Sequence, residues 1–148
     1  KFECLSKIGK MIGDETRIKQ ILFNLLSNSI KYSQEGGKIS FGAKEIEAGE
    51  IMLWVEDDGQ GIPLEEQEAV FSKFYKGRNQ EAAKGKLNNR SGTGLGLPIV
   101  KSFIELHGGR VVLNSEIQKG ARFECYLMRE NPELKLQESK PTRAKKAI

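Results

Sequence analysis

Three glycines at alternate positions, Gly92, Gly94 and Gly96, form a stretch of this chain that is suited to binding phosphate. The apolar residues that follow, among them Leu97 and Val100, recur at helical spacing. A Gly-rich loop that leads into a helix offers unpaired N–H groups and a positive partial charge to an anion. The spacing is GxGxG, so the stretch is neither a Walker-type P-loop nor a dinucleotide-binding turn. A flexible linker with a few glycines is the alternative interpretation.

A second group of polar residues lies in a long amphipathic segment near the start of the chain. At about 100° per residue, Arg17, Gln20, Asn24, Asn28 and Lys31 fall on one narrow face of a helix. The plainer interpretation is a solvated face. Asparagine is a weak helix former, however, because its amide competes for backbone hydrogen bonds. Two asparagines in mid-helix therefore favour a polar wall that faces a ligand.

An acidic turn follows the most apolar stretch of the chain. Residues 51–55 are apolar at every position, which predicts a central strand buried on both faces. They run into Asp57-Asp58-Gly59-Gln60-Gly61, and a polar, mostly basic loop follows at 76–90. A loop of that length in a compact domain tends to be functional.

The remaining elements are predicted from periodicity and from capping residues. Asp14 is suited to be the N-cap of a helix over 15–33. We further expect a strand within 1–13, strands over 38–45, 110–115 and 121–128, a short helix containing Phe71 and Phe74, and a helix that starts near Pro98 and ends at His107-Gly108-Gly109.

Composition bounds the classes of function. The chain has 148 residues and a net charge of +4, and much of the excess of Lys and Arg lies in the polar segment 129–148, which we expect to be a disordered tail or linker. The rest of the chain has no basic field of the kind that nucleic-acid binding needs. No run is apolar enough to span a membrane. Two cysteines, Cys4 and Cys125, are expected in the core of a protein from a reducing cytoplasm.

Four motifs in order resemble those of the ATP-binding catalytic domain of sensor histidine kinases, a family shared with gyrase, the large heat-shock chaperones and MutL. Residues 14–33 (DETRIKQILFNLLSNSIKYS) resemble the N box, and 57–63 (DDGQGIP) resemble the G1 box. Residues 71–74 resemble the F box, and 92–97 (GTGLGL) the G2 box. The resemblance implies one ATP-binding domain over residues 1–128. It also implies a two-layer α/β sandwich, with a mixed, mostly antiparallel sheet and about three helices on one face.

The resemblance also implies roles for individual residues. Asp57 would accept a hydrogen bond from the exocyclic amine of adenine, although a turn-forming Asp is the alternative. Asn28 would place its amide oxygen on Mg²⁺, and Asn24 would support the metal and phosphate region. Lys31 would neutralise phosphate charge. Arg90, with Lys76 as a weaker candidate, would reach the γ-phosphate.

The nucleotide-binding residues that the resemblance implies extend beyond these side chains. Gly59 and Gly61 would let the backbone approach the base, and the G2 glycines would close over the triphosphate as a lid. Two departures from the family pattern are Asp58, expected near the triphosphate, and Ala121, expected to be structural only. The further implied contacts are Ile62, Tyr32, Phe74, Gly92, Thr93, Gly94, Leu95, Gly96 and Leu97.

The implied activity is phosphoryl transfer rather than hydrolysis. Hydrolytic members of the family use an N-box glutamate to activate water, whereas Asn24 occupies that position here and cannot act as a base. The only histidine, His107, is predicted to have a capping or packing role, so the isolated chain should not phosphorylate itself. The implied partners are a helical dimerisation domain that carries the acceptor histidine and a response regulator. The implied location is the cytoplasm, within a parent that could be anchored in the inner membrane. A regulatory pseudokinase and a serine kinase remain as alternatives.

Overall fold

The computed structural model describes residues 2–4, 11–46, 49–77 and 93–129. This part of the chain forms a mixed sheet of five strands with two α-helices packed on one face. The predicted two-layer α/β fold is therefore confirmed. The elements are β1 (Phe2–Cys4), α1 (Glu15–Tyr32), β2 (Ile39–Glu45), β3 (Glu50–Asp57), two 3₁₀ turns (Leu64–Glu66 and Ala69–Phe71), α2 (Gly96–Leu106), β4 (Arg110–Glu116) and β5 (Gly120–Met128).

The first helix begins where its N-cap predicts. The Asp14 carboxylate accepts hydrogen bonds from the N–H groups of Thr16 and Arg17, at 2.9 and 3.1 Å. These bonds satisfy two donors that have no partner within the helix. The helix buries a stripe at four-residue spacing, namely Ile21, Leu25 and Ser29. The stripe holds α1 against the sheet.

The sheet has the strand order β1-β2-β3-β5-β4, so β3 is the central strand. The β1–β2 pair is parallel and the other pairs are antiparallel. In the β3–β5 pair, Val55 is opposite Phe123 and Asp57 is opposite Ala121. Residues at that spacing share one face of the sheet. Asp57 therefore continues the apolar row of β3 at the end of the strand.

The core lies between this face and the helices. Val55, Phe123 and Cys125 from the sheet pack against Val100 and Ile104 of α2. Burial raises the pKa of the Cys125 thiol to about 12, which makes it inert as a nucleophile at neutral pH.

Polar side chains cover the other face of the central strand. Met52 and Trp54 are buried there, and the guanidinium of Arg122 lies 5.3 Å from the centre of the Trp54 ring. Arg122 in turn donates hydrogen bonds to Glu124 and Glu56. The prediction of a strand buried on both faces is therefore confirmed, although a layer of charged side chains covers one of them.

The two predicted helices after the acidic turn differ from expectation. Two single 3₁₀ turns replace the short helix, and Phe74 lies beyond them in a left-handed conformation with φ of 64°. The second α-helix begins at Gly96, so Pro98 is its third residue. Proline is tolerated there because the first four N–H groups have no partner in the helix.

The end of α2 follows the prediction. Gly108 adopts φ of 68°, and the N–H of Gly109 donates to the Ile104 carbonyl at 2.9 Å. His107 joins this end to the start of α1, because its Nδ1 bonds the Phe103 carbonyl and its Nε2 accepts from the Asp14 N–H. The predicted capping role of His107 is confirmed.

Helices with the length and apolar character needed to cross a lipid bilayer do not occur in the described part of the chain.

Candidate functional site

A cavity of about 400 Å³ lies where α1, the start of α2 and the turn after β3 meet above one end of the sheet. Thirteen residues that the sequence predicts as binding residues line it. From α1 and the acidic turn these are Asn24, Asn28, Lys31, Tyr32, Asp57, Gly61 and Ile62, and from the two later segments they are Lys76, Thr93, Gly94, Leu95, Gly96 and Leu97. Three of the four motifs, together with Lys76, thus form one site although they are far apart in the sequence.

Asp57 is the carboxylate at the floor of the cavity. Its residue is only 7% exposed, and the protein fixes the orientation of its carboxylate. Oδ2 accepts a hydrogen bond from the Ser29 hydroxyl at 2.8 Å, and Oδ1 accepts one from the Gly59 N–H at 3.1 Å. A carboxylate has about four acceptor positions. Asp57 can therefore accept one more hydrogen bond from a ligand donor.

Apolar residues surround this carboxylate. Ala121 and Phe123 of β5 line the floor, and Ile62 and Val70 line the wall beside it. Such a slot fits a flat, largely apolar ring with a polar edge that meets Asp57. Ala121, which was expected to be structural only, lines the cavity beside Asp57.

The asparagines of α1, Asn24 and Asn28, also line the cavity. The side-chain nitrogen of Asn24 is fully buried, and no acceptor lies within hydrogen-bond reach of it among the described residues. An unsatisfied buried donor costs about 1–3 kcal/mol, so turning this amide toward a ligand oxygen in the cavity would stabilise it. Lys31 lies beside Tyr32, with its Nζ 3.0 Å from the tyrosine hydroxyl.

The start of α2 also faces the cavity. Leu95 is its N-cap and makes no side-chain hydrogen bond to the helix. The N–H groups of the first turn therefore lack the side-chain acceptor that Asp14 supplies to α1. Gly94, at φ of 70°, passes so close to Phe74 that a Cβ would lie 2.8 Å from the Phe74 backbone. This contact, with the hydrogen bond from the Phe74 N–H to the Gly94 carbonyl, positions the start of the helix.

The structure requires glycine at both positions of the acidic turn, but for a different reason from the one predicted. Gly59 does not line the cavity, and a Cβ on it would lie 2.6 Å from the carbonyl oxygen of Tyr32. A Cβ on Gly61 would overlap the carbonyl of Glu116. Both glycines therefore allow the protein's own backbone segments to approach each other, although Gly61 lines the cavity as well.

Other predicted site residues lie elsewhere. Phe74 does not line the cavity, and the residue is 70% exposed. Asp58 was expected near the triphosphate, but its carboxylate accepts a hydrogen bond from the Lys38 N–H and does not line the cavity. Arg90, Gly92 and the rest of the basic loop over 78–92 lie outside the described residues, as does the tail over 130–148.

Several cavity or support residues were not predicted from the sequence, among them Ser29, Glu66 and Tyr75. Ser29 supports Asp57, but a serine in an apolar stripe gives no signal before its partner is known. Glu66 and Tyr75 line the wall beyond the acidic turn. Their positions depend on the 3₁₀ turns, which periodicity does not predict. Clusters of three or more His, Cys, Asp or Glu residues able to hold a metal ion do not occur in the described ranges.

Residues 13–131 match the family model of histidine kinase-, DNA gyrase B- and HSP90-like ATPases. The sensor protein DivL of Caulobacter vibrioides is 38% identical over 125 residues, which cover 84% of this chain and 15% of DivL. The chain therefore spans about a seventh of the length of that relative.

Solved structures agree with this match. The nucleotide-free catalytic domain of the histidine kinase ThkA superposes with a TM-score of 0.72 at 31% identity, over 88% of this chain and 78% of that one. Full-length ShkA in complex with AMPPNP superposes with a TM-score of 0.71 at 27% identity, over 85% of this chain and 24% of that one. Because the family model covers most of the chain and the cavity is built from its motifs, this chain belongs to the histidine kinase-, DNA gyrase B- and HSP90-like ATPases and is a catalytic ATP-binding domain of the sensor histidine kinase type.

Proposed function

We propose that this chain binds Mg²⁺–ATP in the described cavity and donates the γ-phosphate to a histidine on a separate dimerisation domain of its parent protein. The observation that carries the proposal is the pairing of two features in one cavity. One is a nearly buried carboxylate, Asp57, that Ser29 and Gly59 orient. The other is the buried, unsatisfied amide of Asn24 beside a helix start without a side-chain cap.

The floor of the cavity suits adenine. Asp57 can only accept hydrogen bonds when ionised, so it favours the exocyclic amine of adenine over the carbonyl that guanine carries at the same position. Ala121, Phe123 and Ile62 supply the apolar surroundings of the ring. ATP should therefore bind more tightly than GTP.

The residues around α1 suit a metal-bound triphosphate. The Asn24 amide nitrogen can donate to a phosphate oxygen, and the amide oxygen of Asn28 is a ligand of the type that Mg²⁺ prefers. Lys31 and Lys76 line the same cavity and supply positive charge. Bound Mg²⁺ would neutralise charge on the phosphate oxygens. Positioning and charge neutralisation provide most of the catalysis in phosphoryl transfer, so the absence of a nucleophile among these residues is compatible with the reaction.

The residues of the cavity favour a protein acceptor over water. Asn24 occupies the N-box position at which hydrolytic relatives carry a glutamate, and an amide cannot take a proton from water. His107 is a poor acceptor within this chain, because both of its ring nitrogens are engaged and the residue is buried. The phosphate would therefore pass to the histidine of the dimerisation domain and from there to a response regulator. We place these steps in the cytoplasm.

The experiment combines the isolated chain, a dimerisation domain from its parent and radiolabelled ATP with Mg²⁺. We expect label on the dimerisation domain that is acid-labile and stable to base, and no label on the isolated chain. Base-labile, acid-stable label would show transfer to a serine instead. No label at all, with ATP bound, would show that the chain is a regulatory module without transfer.

A further inference from the structure

Glu66 is a buried carboxylate in the cavity that the roles above do not use. It ends the first 3₁₀ turn, its residue is only 9% exposed, and it lines the cavity wall. The neighbouring Glu65 is exposed and faces a separate surface groove. Of these two adjacent glutamates, only Glu66 lines the cavity.

No described residue neutralises Glu66. Its carboxylate makes no hydrogen bond or ion pair with any side chain of the described ranges, and Lys76, which lines the same cavity, lies beyond ion-pair distance. Gly77 lies close to this carboxylate, since a Cβ added there would be 2.8 Å from Glu66 Oε2. Because Glu66 lines the cavity without such a partner, its carboxylate is available to a hydrogen-bond donor of a ligand.

The chemistry of the cavity restricts what that ligand group can be. A carboxylate repels phosphate oxygens, so Glu66 does not suit direct contact with the triphosphate. Asp57 already provides the acceptor for the amine of the base. The hydroxyl groups of a ribose are the remaining uncharged donors of a nucleotide, and a carboxylate is a strong acceptor for them. We propose that Glu66 accepts a hydrogen bond from a ribose hydroxyl and makes the site selective for ribonucleotides over deoxyribonucleotides. This inference rests on the proposed function of the cavity.

The test is a titration of the folded chain with ATP, 2′-deoxy-ATP and 3′-deoxy-ATP in Mg²⁺. We expect the wild type to bind at least one deoxy analogue about ten- to a hundredfold more weakly than ATP, since a charge-assisted hydrogen bond is lost. Glu66→Ala should weaken ATP to the level of that analogue and leave the analogue itself unchanged. Glu66→Gln keeps the shape and a neutral acceptor, so it should reduce the preference without abolishing it.

Glu65→Ala is the matched control and should keep the wild-type ratio. The proposal is overturned if Glu66→Ala and Glu66→Gln weaken ATP and both analogues by the same factor, or if the wild type binds all three equally. Circular dichroism on each variant separates these outcomes from loss of the fold. Failure of the wild type to bind any of the three nucleotides would contradict the proposed function itself, whereas equal binding of all three contradicts only the role of Glu66.

Discussion

Some side chains in the cavity are placed to contact a ligand, and others orient those side chains. Asn24 and Asn28 were predicted from the sequence because their helix propensity is poor for a solvated face. Asp57 was predicted because residues 57–63 resemble the G1 box. Ser29 was not predicted, since its role depends on a partner 28 positions away that only the folded chain brings within reach. The sequence therefore indicates residues whose type is unusual for their helix or strand. It does not indicate residues whose role depends on a partner that is distant in the sequence.

The metal-binding role of Asn28 gives a prediction at this scale. Asn28→Ala removes an amide oxygen that Mg²⁺ would share with phosphate, so ATP affinity should lose most of its dependence on Mg²⁺. The measurement is calorimetric titration with ATP, with and without Mg²⁺. Gln20→Ala is the control, since Gln20 is on the same face of α1 but does not line the cavity. Equal gains in affinity on adding Mg²⁺, in Asn28→Ala and in the wild type, would refute the assignment.

Helices and strands were predicted well wherever capping residues or alternation marked them. The start of α1 at Asp14, the end of α2 at His107-Gly108 and the strands β4 and β5 all lie within two residues of the prediction. The segment from Leu64 to Phe74 was not predicted well, because 3₁₀ turns bury residues without a regular period. That segment carries Glu66, which explains why its burial was not predicted.

The N-cap of α1 gives a prediction at the scale of the element. Asp14→Ala removes the acceptor for the N–H groups of Thr16 and Arg17, and should lower the free energy of unfolding by about 0.5–2 kcal/mol. Chemical denaturation followed by circular dichroism measures this. Asp14→Asn should retain much of the stability, because asparagine caps equally well. A loss of the same size in both variants would show that charge, rather than capping, is responsible.

For the molecule as a whole, the sheet is stabilised on two sides by different means. Helices cover one face with apolar side chains, and ion pairs with aromatic contacts cover the other. On the second face, Arg110 pairs with Glu50 and lies over Tyr126, while Arg122 joins Glu56 and Glu124. The sequence predicted burial of β3 on both faces but not the polar cover, because cross-strand partners depend on register.

Ionisation of Glu124 makes the stabilisation by this charged face of the sheet dependent on pH. Burial raises the pKa of its carboxyl, but hydrogen bonds from Arg122 and Tyr126 outweigh burial and lower the pKa below its ordinary value of 4.5. The ionised form therefore stabilises the folded state at neutral pH, and this contribution is lost as the pH falls through the lowered pKa. Glu124→Gln should reduce the free energy of unfolding by about 1 kcal/mol at pH 7, with the difference shrinking below pH 4.5.

Urea unfolding at a series of pH values tests this prediction. Glu116→Gln is the control, because Glu116 forms an exposed pair with Lys119 and such pairs contribute little. A difference between wild type and Glu124→Gln that stays constant down to pH 3 would contradict the coupling of Glu124 to the stability of the sheet.

The most direct test of the whole account is the affinity of one cavity for two purine nucleotides. Wild type, Asp57→Asn and Asp58→Asn are each titrated by calorimetry with ATP and with GTP in Mg²⁺. We expect the wild type to bind ATP more tightly than GTP, and Asp57→Asn to bind ATP about ten- to over a hundredfold more weakly, because a charge-assisted hydrogen bond worth about 1.5–3 kcal/mol is lost. Asp58→Asn should bind ATP as the wild type does, since that carboxylate lies outside the cavity. An Asp57→Asn variant that keeps its fold and its full affinity for ATP would contradict the assignment of this cavity as the adenine site.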